Sequence, residues 1–291
     1  MLPKTAYISV FAFINLFLHH LVYAERPAGS ELDETIASTG WTIVDDFEEA
    51  DALSFWVSAD TDNRTEPHIE NPQVMEVHSE DTINNRYLLK KPAIDGLVGN
   101  RKALSFRPLP FPVLVGDITT FYTRVSVEYF PNNHSFGLSN LDDRGILENN
   151  YNAFEPMIRI TDKYESNGDK NDGTLMVMIA DKTYTKIKNF EQGTDAKPME
   201  TDTWYELWYV VNNDLYESGG QRYDLYVRGG EFDSQRLVYQ NAEFRMKREM
   251  ALRQFITISN TGPRDAPYGN GGVRYDDIYM AQGLNLNSPL K

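Results

Sequence analysis

"TWYELWYVVNNDLYESGGQRYDLYVRGG", residues 203–230, holds two apolar segments around a polar, glycine-containing centre. Neighbouring side chains on a strand point to opposite faces, so Trp204 and Trp208 share one face and Tyr205 and Tyr209 the other. Rings and β-branched residues suit a pleated, half-buried surface. "NNDLYESGGQ" (212–221) supplies the asparagines, aspartate and glycines of a hairpin loop. The stretch is predicted to be an antiparallel β-hairpin.

The same signature recurs outward in both directions. Upstream lie "WTIVDDF" (41–47), "KALSFRPL" (102–109), "TTFYTRVSVEYF" (119–130), "EPMIRIT" (155–161) and "GTLMVMIAD" (173–181). Downstream lie "RQFITISN" (253–260) and "VRYDDIYMA" (273–281). In 121–130, Phe121, Thr123, Val125, Val127 and Tyr129 form an expected core face. Tyr122, Arg124, Ser126, Glu128 and Phe130 form an opposite face of rings and charges, the natural seat for a sugar. "SNGDKNDGT" (166–174) reads as another hairpin loop, and "QNAEFRMKREMALRQ" (240–254) as a short helix. Many strands without α/β alternation predict an all-β antiparallel sandwich, a jelly roll with few short helices.

The chain has 291 residues, no cysteine and a formal net charge of −15. Without disulfides, stability rests on the core, with a bound metal as a further source. The acidic surface repels nucleic acid and anionic membranes, yet leaves room for a local basic cleft facing an acidic polysaccharide. Lys4 followed by the apolar run 6–24 reads as a signal peptide cleaved after Ala24, with a retained membrane anchor as the alternative. Residues 25–40 then form a flexible leader and 41–291 a single domain. No later segment is apolar enough to span a membrane, so the protein is expected outside the cell, in a periplasm or on the cell surface. Asn63-Arg64-Thr65 and Asn133-His134-Ser135 are glycosylation sequons.

The hairpin at 203–230 resembles the paired strands of concanavalin A-like, LamG-type domains, where a "WYxLWxVVxN" strand precedes a "YDxYVxGG" strand. "GGVRYDDIYMAQGLNLNSP" (271–289) resembles their closing strand in secreted bacterial proteins, and "WTIVDDFEEAD" (41–51) their first. The resemblance covers most of residues 41–289. It implies the jelly roll common to lectins, carbohydrate-binding modules, laminarinase-like hydrolases and polysaccharide lyases, and so speaks to fold more than to activity. In laminarinase-like relatives, an aspartate of the last strand helps to bind a structural calcium near the first strand. That resemblance places Asp276 and Asp46 as metal ligands, with Asp45 and Glu48 nearby, because calcium takes several oxygens at once. The plainer alternative leaves Asp276 and Asp277 solvated or bonded to backbone amides at a sheet edge. As strand neighbours, these two carboxylates are expected on opposite faces.

The "ExDxxE" strand of the laminarinase-like hydrolases is missing, as are the "RxEL", "QIH" and "YFKxGxY" strands of alginate-lyase relatives. A uronate lyase needs a cation or amide to neutralise the carboxylate and a Tyr or His to move protons. Arg124 and Arg159 are the candidates for the first role, Tyr122 and His134 for the second. Glu128, Glu155, Trp204 and Trp208 are candidate substrate contacts. Each has a plainer role: Arg124–Glu128 and Arg159–Glu155 as ion pairs, His134 as a solvated loop residue in "PNNHS", the tryptophans as core. His68 and His78 lack zinc spacing, and there is no GxSxG elbow or phosphate loop. Three readings stand: a secreted protein that binds a polysaccharide on its concave sheet face, a lyase that cleaves a uronate glycan by β-elimination, and a structural or adhesion protein.

Overall fold

The computed structural model describes residues 40–80, 85–166, 168–180 and 182–290. The expected signal peptide, and the expected leader apart from Gly40, lie outside the described residues. Each segment expected to be a strand contributes one. In chain order the strands are β1 (Thr42–Asp45), β2 (Val57–Asp60), β3 (Val74–Ser79), β4 (Arg86–Lys91), β5 (Ala103–Val113) and β6 (Ile118–Val127). Then follow β7 (Asn133–Ser139), β8 (Phe154–Thr161), β9 (Leu175–Met178), β10 (Tyr184–Lys186), β11 (Lys188–Asn189) and β12 (Thr194–Asp195). The last are β13 (Trp204–Asn212), β14 (Arg222–Gly229), β15 (Phe232–Glu243), β16 (Leu252–Ser259) and β17 (Val273–Gln282).

Two antiparallel sheets face each other. The first runs β15-β14-β13-β6-β17-β4-β3, with β1 also paired to β17; the second runs β10-β9-β8-β7-β16-β5-β2. β11 and β12 form a separate ribbon. Alternation decides which residues meet between the sheets. From the first come Phe121, Val125, Leu207, Tyr209 and Leu225; from the second come Phe136, Leu138, Ile158, Ile160 and Phe255. Burying each such side chain is worth about 1.5–3 kcal/mol. Tyr205 and Tyr209 therefore belong to the core, and Trp204 and Trp208 to the outer face of the first sheet.

That outer face is not the open, sugar-accepting surface expected from the sequence. Trp41, Tyr122, Trp208 and Tyr279 pack together on it, and Leu286 and Leu290 of the C-terminal segment cover them. Trp208 donates its indole N–H to Asn287 O at 3.1 Å. The outer face of the second sheet is covered at one end only. There Leu104, Phe106, Met157, Ile256 and Ile258 pack under helix α1 (Asp143–Asn149) and the 3-10 turn Asn150–Ala153. Asp142 caps α1 by accepting from Gly145 N at 2.8 Å. The cleft lies beside this cover, which supplies Tyr151 to its wall.

Three local expectations change. Residues 240–254 are not a helix: β15 runs to Glu243, and Asn241, Lys247 and Glu249 have positive φ values of 58°, 55° and 52°. Phe244 turns into the core, and a buried carboxylate takes the Met246 and Lys247 N–H groups. Tyr129 lies beyond the end of β6 and is exposed rather than core. "PNNHS" is no loop, because from Asn133 onward it enters β7, a wholly buried strand between β16 and β8. Asn133 of the second sequon is thus buried.

Candidate functional site

The β7–β8 register sets the cleft. Asn133 stands opposite Thr161 and Ser135 opposite Arg159, so Asn133 and Arg159 share the outer face of the second sheet. Further along, the register shifts between Gly137 and Ser139, opposite Pro156, which has no N–H to give. A Cβ on Gly137 would sit 2.1 Å from Pro156 O, so only glycine allows this approach. Beyond β8, Met176 lies beside Arg159 and Tyr184 beside Met178, which carries β10 to the cleft wall.

Arg159 is the centre. Its guanidinium bonds Glu165 Oε1 at 2.5 Å and lies 3.4 Å from Asn133 Oδ1. It stacks over the Tyr184 ring at 4.9 Å, and the Tyr184 hydroxyl accepts from Arg245 at 2.8 Å. Tyr151, from the 3-10 turn, lines the cleft with Asn260 and Asn133. Lys163 reaches Glu165 at 2.8 Å and lies 5.0 Å above the Tyr268 ring. Together with Lys182, these residues enclose about 240 Å³.

Charge here is opposite to that of the whole molecule. Four basic side chains, Arg159, Lys163, Lys182 and Arg245, line the cleft against the single carboxylate of Glu165. Burial raises the Glu165 pKa, but Arg159, Lys163 and Asn171 outweigh it and hold the group below its usual range. Burial lowers the Lys163 ammonium pKa against the pull of Glu165, and Arg159 adds to the lowering. Burial also raises both phenols, Tyr151 and Tyr184, although Arg159 opposes it at each and Arg245 does so at Tyr184. The cleft thus offers fixed cations, amides and protonated phenols, a donor set for carboxylates.

Of the residues singled out in the sequence, only Arg159 lies in this cleft. Glu155 shares its face but is buried, accepting from Asn140, Arg248 and the Met246 and Lys247 N–H groups, so it anchors the 245–248 loop and does not pair with Arg159. His134 points into the sandwich, and its Nε2 meets Gly271 O at 2.9 Å. Burial drives its pKa down to about 3, so it is neutral and sealed away from any substrate. Tyr122 and Arg124 lie on the outer face of the opposite sheet, with Tyr122 fully buried. Arg124 pairs with Asp277, Asp276 and Glu80 instead of Glu128, which bonds Gly272 N and Lys91. Trp204 stacks on Arg124 at 4.5 Å on that same far face. Asn133, Tyr151, Lys163, Glu165, Lys182, Tyr184, Arg245, Asn260 and Tyr268 complete the cleft and were not expected there.

The Asp276–Asp277 pair also departs from expectation. Asp276 pairs with Arg124 of β6, and the next paired residue is Tyr279, opposite Tyr122. The bulge, with Asp277 at φ 52°, brings both carboxylates to one guanidinium, at 3.6 and 3.2 Å. Burial raises both pKa values, and at Asp276 the Asp277 charge raises it further. The set does not fit calcium. Asp276 accepts from Asn85 at 2.8 Å and faces Arg124. Asp45 turns inward to Trp56 and Arg107, and Asp46 accepts from Glu48 N. Among the described residues no three His, Cys, Asp or Glu side chains are grouped to hold a metal.

No protein-family model and no curated protein matches the sequence. Solved structures do match. A marine PL-14 alginate lyase from Aplysia kurodai superposes with a TM-score of 0.50 at 12% identity, over 84% of this chain and 99% of that one. The fold is the concanavalin A-like jelly roll. A GH131 β-glucanase catalytic domain from Podospora anserina also matches, at TM-score 0.45 and 10% identity, over 86% and 100% of the two chains. Peanut lectin matches at TM-score 0.45 and 8% identity, over 80% and 98%. In this jelly roll the second sheet carries the basic cleft, and the centre of the first sheet is covered by the chain's own C-terminal segment. Among the described residues no helix is long and apolar enough to cross a membrane.

Proposed function

We propose that this jelly-roll protein is exported and recognises an acidic, uronate-containing polysaccharide in the cleft around Arg159. One observation carries the reading: four cations converge against one carboxylate, beside three tyrosines, on a molecule of net charge −15. A guanidinium matches a planar carboxylate with paired N–H groups, and phenol rings offer an apolar face to the sugar. Arg159→Ala is expected to weaken binding of a polyuronate about 10–100-fold, the loss of a charge-assisted hydrogen-bonding group. Affinity electrophoresis in gels containing the glycan measures it; unchanged retardation would exclude the cleft as the binding site.

A second reading, cleavage by β-elimination, is favoured by the placement of Tyr151 next to Arg159 and Asn133. Arg159 and Asn133 would neutralise the carboxylate and so acidify the adjacent C5–H. Tyr151 would give its phenol proton to the leaving glycosidic oxygen and take the C5 proton in return. The C5–H electrons form the C4–C5 double bond as the C4–O bond breaks, and the tyrosine ends unchanged. Burial keeps the phenol protonated, which suits the donor half of this exchange. This role, assigned to Tyr122 or His134 from sequence, falls to Tyr151 because those two are sealed away. Incubation with polyuronates, followed by ultraviolet absorbance of the unsaturated product, tests it. Tyr151→Phe should abolish product while retaining binding; binding without any product from the wild type leaves a binding protein.

A further inference from the structure

The cleft does not end at its own walls. Lys163 and Tyr268 also line a neighbouring depression of about 520 Å³, bounded by Phe130, Tyr164 and Lys170. On the other side Lys182 and Arg245 also line one of about 410 Å³, which reaches Phe244 and Lys247. The three depressions are therefore consecutive, with shared side chains as the partitions between them. Across all three, six basic and two acidic side chains face the ligand space. Tyr164 is 63% exposed at one end, and the last depression at the other is bordered by the exposed Lys182 and by the half-buried Lys247, whose ammonium Glu243 holds. Lys170 lies over the Tyr164 ring at 5.6 Å, repeating the pairing of Lys163 with Tyr268 at 5.0 Å.

We infer that the three depressions form one continuous groove, open at both ends, which takes an internal stretch of an acidic polysaccharide and not a chain terminus. Arg159 holds the central uronate. Lys170 with Tyr164 serves the sugars on one side, and Lys182 with Lys247 those on the other. A pocket for a chain end needs a wall that stops the polymer; here both flanks continue the cationic lining. This inference rests on the proposed recognition of uronates at Arg159.

Titration calorimetry with a graded series of oligouronates, from the disaccharide upward, tests it. Affinity should rise with length until the groove is filled and then level off. Lys170→Ala and Lys247→Ala should each weaken the longer oligomers about 3-fold, the scale of a partly exposed ion pair, and leave the disaccharide unchanged. A disaccharide that binds as tightly as the longest oligomer would overturn the groove while leaving the Arg159 cleft intact. Flanking substitutions that weaken every length equally, or none, would overturn it as well. Absence of binding at any length would sink the uronate reading and the groove with it.

Discussion

Lys90 lies fully buried between the sheets, bonded to Gln73 Oε1 at 2.5 Å and Ser105 Oγ at 2.8 Å. Burial drives its pKa from 10.5 down to about 7, and Asp60 opposes this in part. Between those two values the unfolded chain binds a proton that the folded chain does not. Stability must therefore rise as pH rises through that window, by up to about 1.4 kcal/mol per pH unit. Urea denaturation in mildly alkaline against neutral buffer measures the slope, and Lys90→Met should remove it. Arg124 presents the converse case, as the cation beside two carboxylates whose residues are 0% and 6% exposed. Arg124→Leu would leave that charge uncompensated and should cost about 3–5 kcal/mol in urea denaturation, with no specific loss at the remote cleft.

At the scale of elements, the β7–β8 pair is what positions the cleft. Gly137→Ala forces a Cβ into Pro156 O and should destabilise the protein by about 2 kcal/mol in thermal or urea unfolding. Its pairing also explains which elements the sequence disclosed. Strands such as β6, β13 and β17 were legible because rings and β-branched residues alternate along them. β7, "NHSFGLS", was not: its first residues belong to "PNNHS", which reads as a loop, and the flanking strands β8 and β16 satisfy its backbone. Alternation also failed at Asp276–Asp277, since a bulge adds a residue and changes which face the second side chain meets. The helix expected over 240–254 was overruled by Glu155, whose buried carboxylate claims two N–H groups of that segment.

Across the whole molecule, the sandwich was readable and the working face was not. Tyr122 and Arg124 of β6 and Trp204 of β13 look like a glycan surface on one sheet face, but nothing local reveals that the C-terminal segment closes over the centre of that sheet. The cleft joins Asn133, Tyr151, Arg159, Tyr184, Arg245 and Asn260 from across the chain, and its lysines sit among acids in sequence. Only the fold separates the cations from the acids. Because the attraction is electrostatic and partly exposed, binding of an acidic glycan should weaken as salt is raised, while stability changes little.

The most direct measurement compares a polyuronate with a neutral glycan of matched length against wild type, Arg159→Ala and Trp204→Ala, by calorimetry at low salt. Recognition at the Arg159 cleft predicts binding of the polyuronate alone, lost in Arg159→Ala and kept in Trp204→Ala, since those residues lie on opposite sheets. Equal binding of the neutral glycan, or loss through Trp204 with Arg159 indifferent, would contradict it and move recognition away from the basic cleft.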